Sequence, residues 1–497
     1  MDNRPIFIVT QYVYTYHMAK PLWNGFTYFP HQVTGIEWML EKERVGTEVS
    51  LRNAVGTTLV KGGFQCDDMG LGKTIQMTAV MVNHVVKKTL LIAPLAMIDT
   101  WSAICKRAGM SVYEVDKKKE WALQNKFSPI PRRFMKNRPA VYISNYEKLY
   151  TTTSLFREPW DRVVLDEAHK IRNGSGMVAC FARKLKAPLR WVITGTPLVN
   201  SLKDVVSLLA FIGVPTSAMY SWEKRYDTIL PQILIHRSLD SLRAVIQGAP
   251  PLPEVHHLML PFTTAEEEEF YYGVQSTSES MALKYAGDRI SPSQAFLLLL
   301  RLRQISVHPQ VYINSKRRQS HYARPDWVGP STKLEAVKSI LTSETDHELH
   351  KYIIFCQFND EMSLIRDYLL QEALVKDENI LMYNGLMNQE ERRVVLETSK
   401  ATQETTVLLI QLQAGGVGLN LQEYDRVLFV SPWWTSAMID QAVARAVRMG
   451  QTKVVQVYHL HLKAEQDNTI NIDAIVNAKA EEKRKMLEKL FALCVQE

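Results

Sequence analysis

Short apolar runs rich in β-branched residues recur along the chain, each followed by a turn and a longer stretch of helical spacing. They are "KTLLIAP" from Lys87 or Lys88, "RVVLDE" from Arg162, "RWVITGT" from Arg190, "KYIIFCQ" from Lys351, "TVLLIQ" from Thr406 and "RVLFVS" from Arg426. Strands apolar on both faces that alternate with helices predict an α/β fold of doubly wound parallel sheets. The runs fall into two groups. Between them, Gly248 to Lys333 opens with "GAPPLPE", passes through helix-prone "TTAEEEEFYYGV" and "SQAFLLLLRLRQISVHP", and closes on polar "NSKRRQSHYARPDWVGPSTK". Its centre reads as helical and its ends as linker. The expected division is an N-terminal α/β lobe over 1–248, a helical insertion and connector over 249–330, and a C-terminal α/β lobe over 331–497 ending in helix-like "AKAEEKRKMLEKLF".

The longest apolar runs, such as "AFLLLL" from Ala295 to Leu300, fall far short of the roughly 18 residues of a membrane span, and Asp2 stands where a secretory leader would be basic. A soluble, intracellular protein is expected. The five cysteines, at 66, 105, 180, 356 and 494, form no C-x-x-C pair, which speaks against structural zinc and for a reducing compartment. The formal charge of +7 is modest, but its distribution is uneven. From Lys106 to Arg138 ten basic residues, Lys117, Lys118 and Lys119 among them, face three acids, an excess equal to that of the whole chain. Such a run is either a solvated loop or a phosphate-facing patch.

In "QCDDMGLGKTIQM", Gln65 to Met77, Gly70 and Gly72 permit a tight loop, Lys73 suits β/γ-phosphates and Thr74 suits magnesium. Asp67 stands where the first glycine of G-x-x-x-x-G-K-[ST] is usual. The strand "VVLDEAHKIRN" supplies a second site, its carboxyl end carrying Asp166 for hydrated magnesium and Glu167 to orient or deprotonate water. Two carboxylates at a helix start can also merely complement its dipole. Their pairing with the glycine-rich loop on one sheet favours chemistry.

The ordered series "FPHQVTGIEWM", "CDDMGLGKT", "LLIAPLAMIDTW", "YISNYEKL", "LDEAHKIRN", "ITGTPL", "YIIFCQF", "LQAGGVGLNL", "SPWW" and "DQAVARAVRMGQ" closely resembles the SWI/SNF family of helicase-like ATPases within superfamily two. The resemblance runs from about Phe29 to about Leu460 and implies two tandem RecA-like lobes closing on ATP and magnesium. It implies adenine recognition by Gln32, a polar helix-start residue on its position alone, and adds Asp68 to the nucleotide pocket. His169 with Thr194, Gly195 and Thr196 would sense the γ-phosphate, and Pro94, Ser144, Asn145, Gln411, Gly415 and Gly416 would face DNA. Gln441, Arg445 and Arg448, four and then three residues apart, would share one helix face, with Arg448 reaching across the cleft and Arg445 assisting.

The sixth motif lacks the "QRxGRAGR" pattern of DEAH-lettered RNA helicases and resembles that of duplex-DNA motors. "LRLRQISVHPQ" is similar to the second-lobe insertion of the repair-associated branch, without that branch's zinc-binding RING finger. Gln411 and Gln413 replace a usual Ser and Lys, and Ser431 a usual Asp. The expected activity is ATP-dependent translocation along double-stranded DNA. The rivals are a strand-separating or RNA-stimulated helicase and a non-catalytic, ATP-gated scaffold, the latter disfavoured by the full hydrolytic set. Nucleosomes or a DNA-bound polymerase would suit such a motor, acting alone or within a complex, in a nucleus or in the factory of a large DNA virus.

Overall fold

The computed structural model describes residues 19–50, 57–115, 121–123, 139–157, 159–215, 226–246, 248–286, 292–343, 349–415, 419–463 and 471–494. Its strands are β1 (Thr47–Ser50), β2 (Thr57–Gln65), β3 (Lys88–Ala93), β4 (Ser111–Val115), β5 (Trp121–Leu123), β6 (Ala140–Asn145), β7 (Arg162–Asp166), β8 (Leu189–Ile193) and β9 (Leu234–Ile235) in a first sheet. A second sheet holds β10 (Glu254–Leu260), β11 (Lys351–Cys356), β12 (Ile380–Tyr383), β13 (Thr406–Gln411), β14 (Arg426–Phe429) and β15 (Gln456–Leu462). The first runs β1-β2-β8-β7-β3-β6-β4-β5 with β9 beside β2, and the second β10-β15-β14-β11-β13-β12. The second is parallel throughout, and in the first only the pairs β1/β2 and β4/β5 are antiparallel. All six apolar runs are strands of these sheets.

Side-chain alternation shows why those runs are apolar throughout. Leu90, Ile92, Val163 and Leu165 enter the core on one face of the first sheet, while Leu91, Ala93 and Val164 enter the core on the other. In the second sheet Ile354 and Leu409 serve one face, and Ile353, Phe355 and Leu408 the other. Two doubly wound sheets, each covered on both faces by helices, are tandem RecA-like lobes.

Two long-range features depart from the sequence expectation. Glu254–Leu260, within the stretch read as linker, is the edge strand β10, pairing in register with Gln456–Leu462. The terminal helix Ile472–Ala492 belongs to both lobes. Ile472 and Val476 at its start pack with the insertion helices Ala265–Ala286, Pro292–Val307 and Pro309–Arg317, whereas Leu490 and Phe491 are buried in the first lobe's core. Midway, Lys483 Nζ donates to Asn200 Oδ1 and to the Trp434 carbonyl, both at 3.0 Å. The Phe491 ring stacks on His236 with centroids 3.5 Å apart.

Candidate functional site

At the end of β2 the chain turns through residues 66–72 into helix α2 (Lys73–Asn83). Gly70 and Gly72 have φ of +87° and +79°, the left-handed region where side chains are disfavoured. At Gly72 a Cβ would also lie 2.5 Å from Gln32 Nε2. Gln32 sits in the first turn of helix α1 (Pro30–Arg44), where its Oε1 accepts from the Phe29 amide at 3.1 Å. It is therefore a helix-start residue and also a neighbour of the loop. Lys73 Nζ donates to the carbonyls of Asp67 at 2.6 Å and Asp68 at 3.1 Å, and Thr74 follows in the first turn. The Asp68 carboxylate accepts from Leu239 N at 2.9 Å and lies 3.2 Å from His236 Nε2.

Asp166 ends β7 beside β8, in register with Ile193. Its Oδ2 accepts from the Trp101 indole at 2.8 Å and its Oδ1 from the Glu167 amide at 3.0 Å. Glu167 adopts φ +50°, ψ +49°, a strained backbone of the kind that persists where surrounding structure enforces it. Its Oε2 lies 3.3 Å from His169 Nδ1, which is 3.3 Å from Thr194 Oγ1, and that oxygen accepts from the Thr196 amide at 3.1 Å. Gly195 borders the phosphate loop, since a Cβ there would stand 3.6 Å from Lys73 Nζ. Glu167, His169, Thr194 and Thr196 thus lie in a row beside the phosphate loop.

The two adjacent carboxyls titrate apart. Burial, then the charge of Glu167, pushes Asp166 above the usual carboxylate range. Burial would raise Glu167 too, but His169, Lys73 and Arg445 together hold it below that range. Glu167 is thus the more acidic of the two and stays a carboxylate to lower pH, as a base must.

The second lobe reaches this carboxylate directly: Gln441 Nε2 donates to Glu167 Oε1 at 3.1 Å. Gln441 lies on the helix Ser436–Val443, which ends before either arginine. The expected single helix face is corrected, because the chain tightens there into turns, with Arg445 N and Ala446 N bonding three residues back. The Arg445 carbonyl accepts from Leu421 N at 3.1 Å and so leaves the helical ladder. Arg445 is 8% exposed, and its charge acts on both Glu167 and Asp166. Arg448 lies close enough for its charge to act on Arg445.

The expected nucleic-acid contacts fare differently. Ser144 is 1% exposed in β6 paired with Ile92, and Asn145 caps the following turn by accepting from Lys148 N at 3.1 Å. Both residues are buried where the strand ends, Asn145 engaged in its cap. Pro94 is buried, preceding exposed Leu95. Gln411 Oε1 accepts from Gly385 N at 3.0 Å, and Gly415 closes the short helix after β13. Gly416, Lys117, Lys118 and Lys119 lie outside the described residues.

The Ser431 departure has a local reason, since its hydroxyl donates at 3.4 Å to the buried Glu361 carboxylate, where an aspartate would set two acids together. Trp433 and Trp434 flank the Arg303 guanidinium, 5.3 and 5.5 Å from their ring centroids. The residue overlooked in the sequence is Trp101. It sits inside "LLIAPLAMIDTW", and an indole N–H buried in such a motif needs an acceptor, which Asp166 provides.

The SNF2-related domain model matches residues 31–311, and the helicase conserved C-terminal domain model matches residues 332–450. The chain is 27% identical over 481 residues to the probable global transactivator of Orgyia pseudotsugata multicapsid polyhedrosis virus, covering 93% of this chain and 91% of that one. It is 25% identical to chromodomain-helicase-DNA-binding protein 1-like of Danio rerio, covering 87% of this chain and 41% of that protein. To the putative ATP-dependent helicase/translocase YwqA of Bacillus subtilis (strain 168) it is 26% identical, covering 96% of this chain and 52% of that one. It thus spans about half or less of the last two. With its two matched halves meeting at Glu167, Gln441 and Arg445, this chain belongs to the SNF2-related family of helicase-like ATPases.

Proposed function

We propose that the protein is an ATP-driven translocase on double-stranded DNA. The observation that carries this reading is the bond from Gln441 to Glu167, with the charge of Arg445 beside it. A hydrolytic carboxylate of one lobe completed by the other makes hydrolysis and lobe movement a single event. The phosphate loop fits a nucleoside triphosphate: glycines at 70 and 72 permit its tight left-handed turns, and Lys73 can exchange two carbonyls for phosphate oxygens. Thr74 and Asp166 are the residues that would hold magnesium. When bound, that ion would offset the negative charge of the phosphates.

In this reading Glu167 orients the attacking water and takes its proton, while Gln441 fixes one carboxylate oxygen. Arg445 and Arg448 offset the charge that develops on the transferred phosphoryl group. His169, Thr194, Gly195 and Thr196 carry loss of the γ-phosphate to the lobe interface. Lobe 1–248, insertion and connector 249–330 and lobe 331–497 are the moving parts, stepping along one strand's backbone with little sequence preference. The names of two relatives, one "DNA-binding" and one a "translocase", support DNA as the track. Nucleosomes or a DNA-bound polymerase are suitable objects for displacement in a DNA-containing compartment, with the motor working as a monomer or within a complex. Release of a third strand from a triplex on linear duplex DNA tests the reading. ATP-dependent release that Glu167→Gln abolishes supports it, and hydrolysis without release contradicts it.

A further inference from the structure

We infer that Arg237, in the segment after β9, is the positioning residue of the phosphate loop. β9 pairs in parallel with Phe64 and Gln65, and the pairing continues past its end: Cys66 N donates to the Ile235 carbonyl at 2.8 Å and Asp68 N to the Arg237 carbonyl at 3.0 Å. The chain therefore runs beside the first half of the loop. From there the Arg237 guanidinium turns back and grips Asp67 with both prongs, Nε to Oδ1 at 2.9 Å and Nη2 to Oδ2. Nη2 also donates to Gln76 Oε1 at 2.9 Å, and Nη1 to the His31 carbonyl.

Asp67 is wholly buried, and its Oδ2 also accepts from Gln65 Nε2 at 2.7 Å and Gln76 Nε2 at 3.0 Å. Its own carbonyl is the one that holds Lys73. Arg237, the Asp67 side chain, the Asp67 carbonyl and the Lys73 ammonium thus form one mechanical line. Helix α1 is shaped around it, since a Cβ on Gly35 would come within 2.1 Å of Gln76 Oε1 and 2.5 Å of Arg237 Nη2. Two parallel bonds fix the plane of the carboxylate and hence the direction of the Asp67 and Asp68 peptides. A lysine has the charge but only one point of contact. The aspartate at the place of the usual first glycine is then the handle by which a neighbouring segment sets the loop.

This inference rests on the phosphate-loop reading above. Arg237→Lys is expected to raise the KM for ATP about tenfold, the loss of roughly one charge-assisted bond. Turnover at saturating ATP should stay within about threefold, because the loop holds phosphates alike in the ground and transition states. ADP affinity should fall in parallel with that for ATP, while adenosine, which lacks phosphates, binds as in the parent. A purely structural pair would instead lower the melting temperature and kcat together with KM unchanged, and that result overturns the inference. Should Arg237→Lys not fold, Gln76→Leu, which removes one acceptor from the guanidinium and one donor from the carboxylate, is expected to raise KM about threefold with the same ADP-against-adenosine split. Parent-like KM for ATP and parent-like ADP binding there are equally fatal to the inference. Lys73→Ala separates the two claims. If it binds ATP normally the loop reading falls, whereas loss of ATP there beside normal ATP and ADP binding in Arg237→Lys leaves the loop standing and removes Arg237 from it.

Discussion

Lys333→Met should loosen the second lobe and, through the terminal helix, its hold on the first. The Lys333 and Asp473 side chains are 1% and 2% exposed, with Nζ 2.7 Å from Oδ2. Asp473 also accepts from Ser306 Oγ at 2.6 Å and Leu462 N at 3.0 Å, and it lies in the first turn of the helix whose far end buries Leu490 and Phe491 in the other lobe. Removing the ammonium leaves a buried carboxylate with neutral donors only, a loss of about 3–5 kcal/mol. At 2–4 °C per kcal/mol for a unit of this size, the melting temperature should drop by about 6–20 °C. Removing both charges in Lys333→Met/Asp473→Leu relieves two desolvation penalties but strands the Ser306 and Leu462 donors, at about 1–3 kcal/mol each. The double variant should therefore lie near the parent, and the coupling energy should be about 3 kcal/mol or more. Urea denaturation of Lys333→Met, Asp473→Leu and the double variant measures it. A single variant within about 1 kcal/mol of the parent, or a double variant no more stable than the single, would refute a dry, charge-paired Asp473.

Glu167→Gln should bind ATP with near-parent affinity yet hydrolyse it at a small fraction of the parent rate, read by nucleotide titration beside steady-state turnover; normal turnover removes Glu167 as the base. Arg445→Ala should lower turnover with saturating duplex DNA by about three powers of ten or more. Arg445→Lys should still lose at least about tenfold, for want of the fork; parent-like rates in both would exclude a finger role. Acid should destabilise the second lobe. Burial and neighbouring positive charge hold His459 down to about 3 and His461 to about 4, with His257, Lys333, Asp473 and Arg484 facing them. The unfolded chain thus binds more protons than the folded one below about pH 6.5, and stability should fall from there towards pH 4. A flat melting temperature from pH 7 to 5 contradicts this.

The strands that build the site were legible because each is covered on both faces, so Val163, Val164 and Leu165 form an unbroken apolar run. β2 was not, because "TTLVKGGFQ" carries two glycines in mid-strand. The structure demands them: a Cβ at Gly62 would lie 1.9 Å from the Arg190 carbonyl oxygen, and one at Gly63 would lie 2.4 Å from that of Ile233. β10 escaped because it starts at the end of proline-rich "GAPPLPE", which reads as linker, and as an edge strand leaves Val255 and Met259 outward. Lys73, Asp166 and Glu167 could be read from local sequence because strand-to-turn geometry alone positions them. Gln441, Arg445 and Trp101 depend on partners from distant segments, and the end of the helix at Val443 is set by a tertiary bond from Leu421. Nor could spacing reveal that Ser144 is buried and that Asn145 is engaged in a cap.

Steady-state ATP hydrolysis with duplex DNA, single-stranded DNA or RNA in turn, at fixed salt and saturating nucleotide, tests the central claim most directly. Hydrolysis raised many-fold by duplex DNA, far less by single strands or RNA, and lost in Glu167→Gln is the predicted result. Equal or greater stimulation by RNA or single strands, or hydrolysis indifferent to all three, would contradict a duplex-DNA motor closed by Gln441 and Arg445 on Glu167.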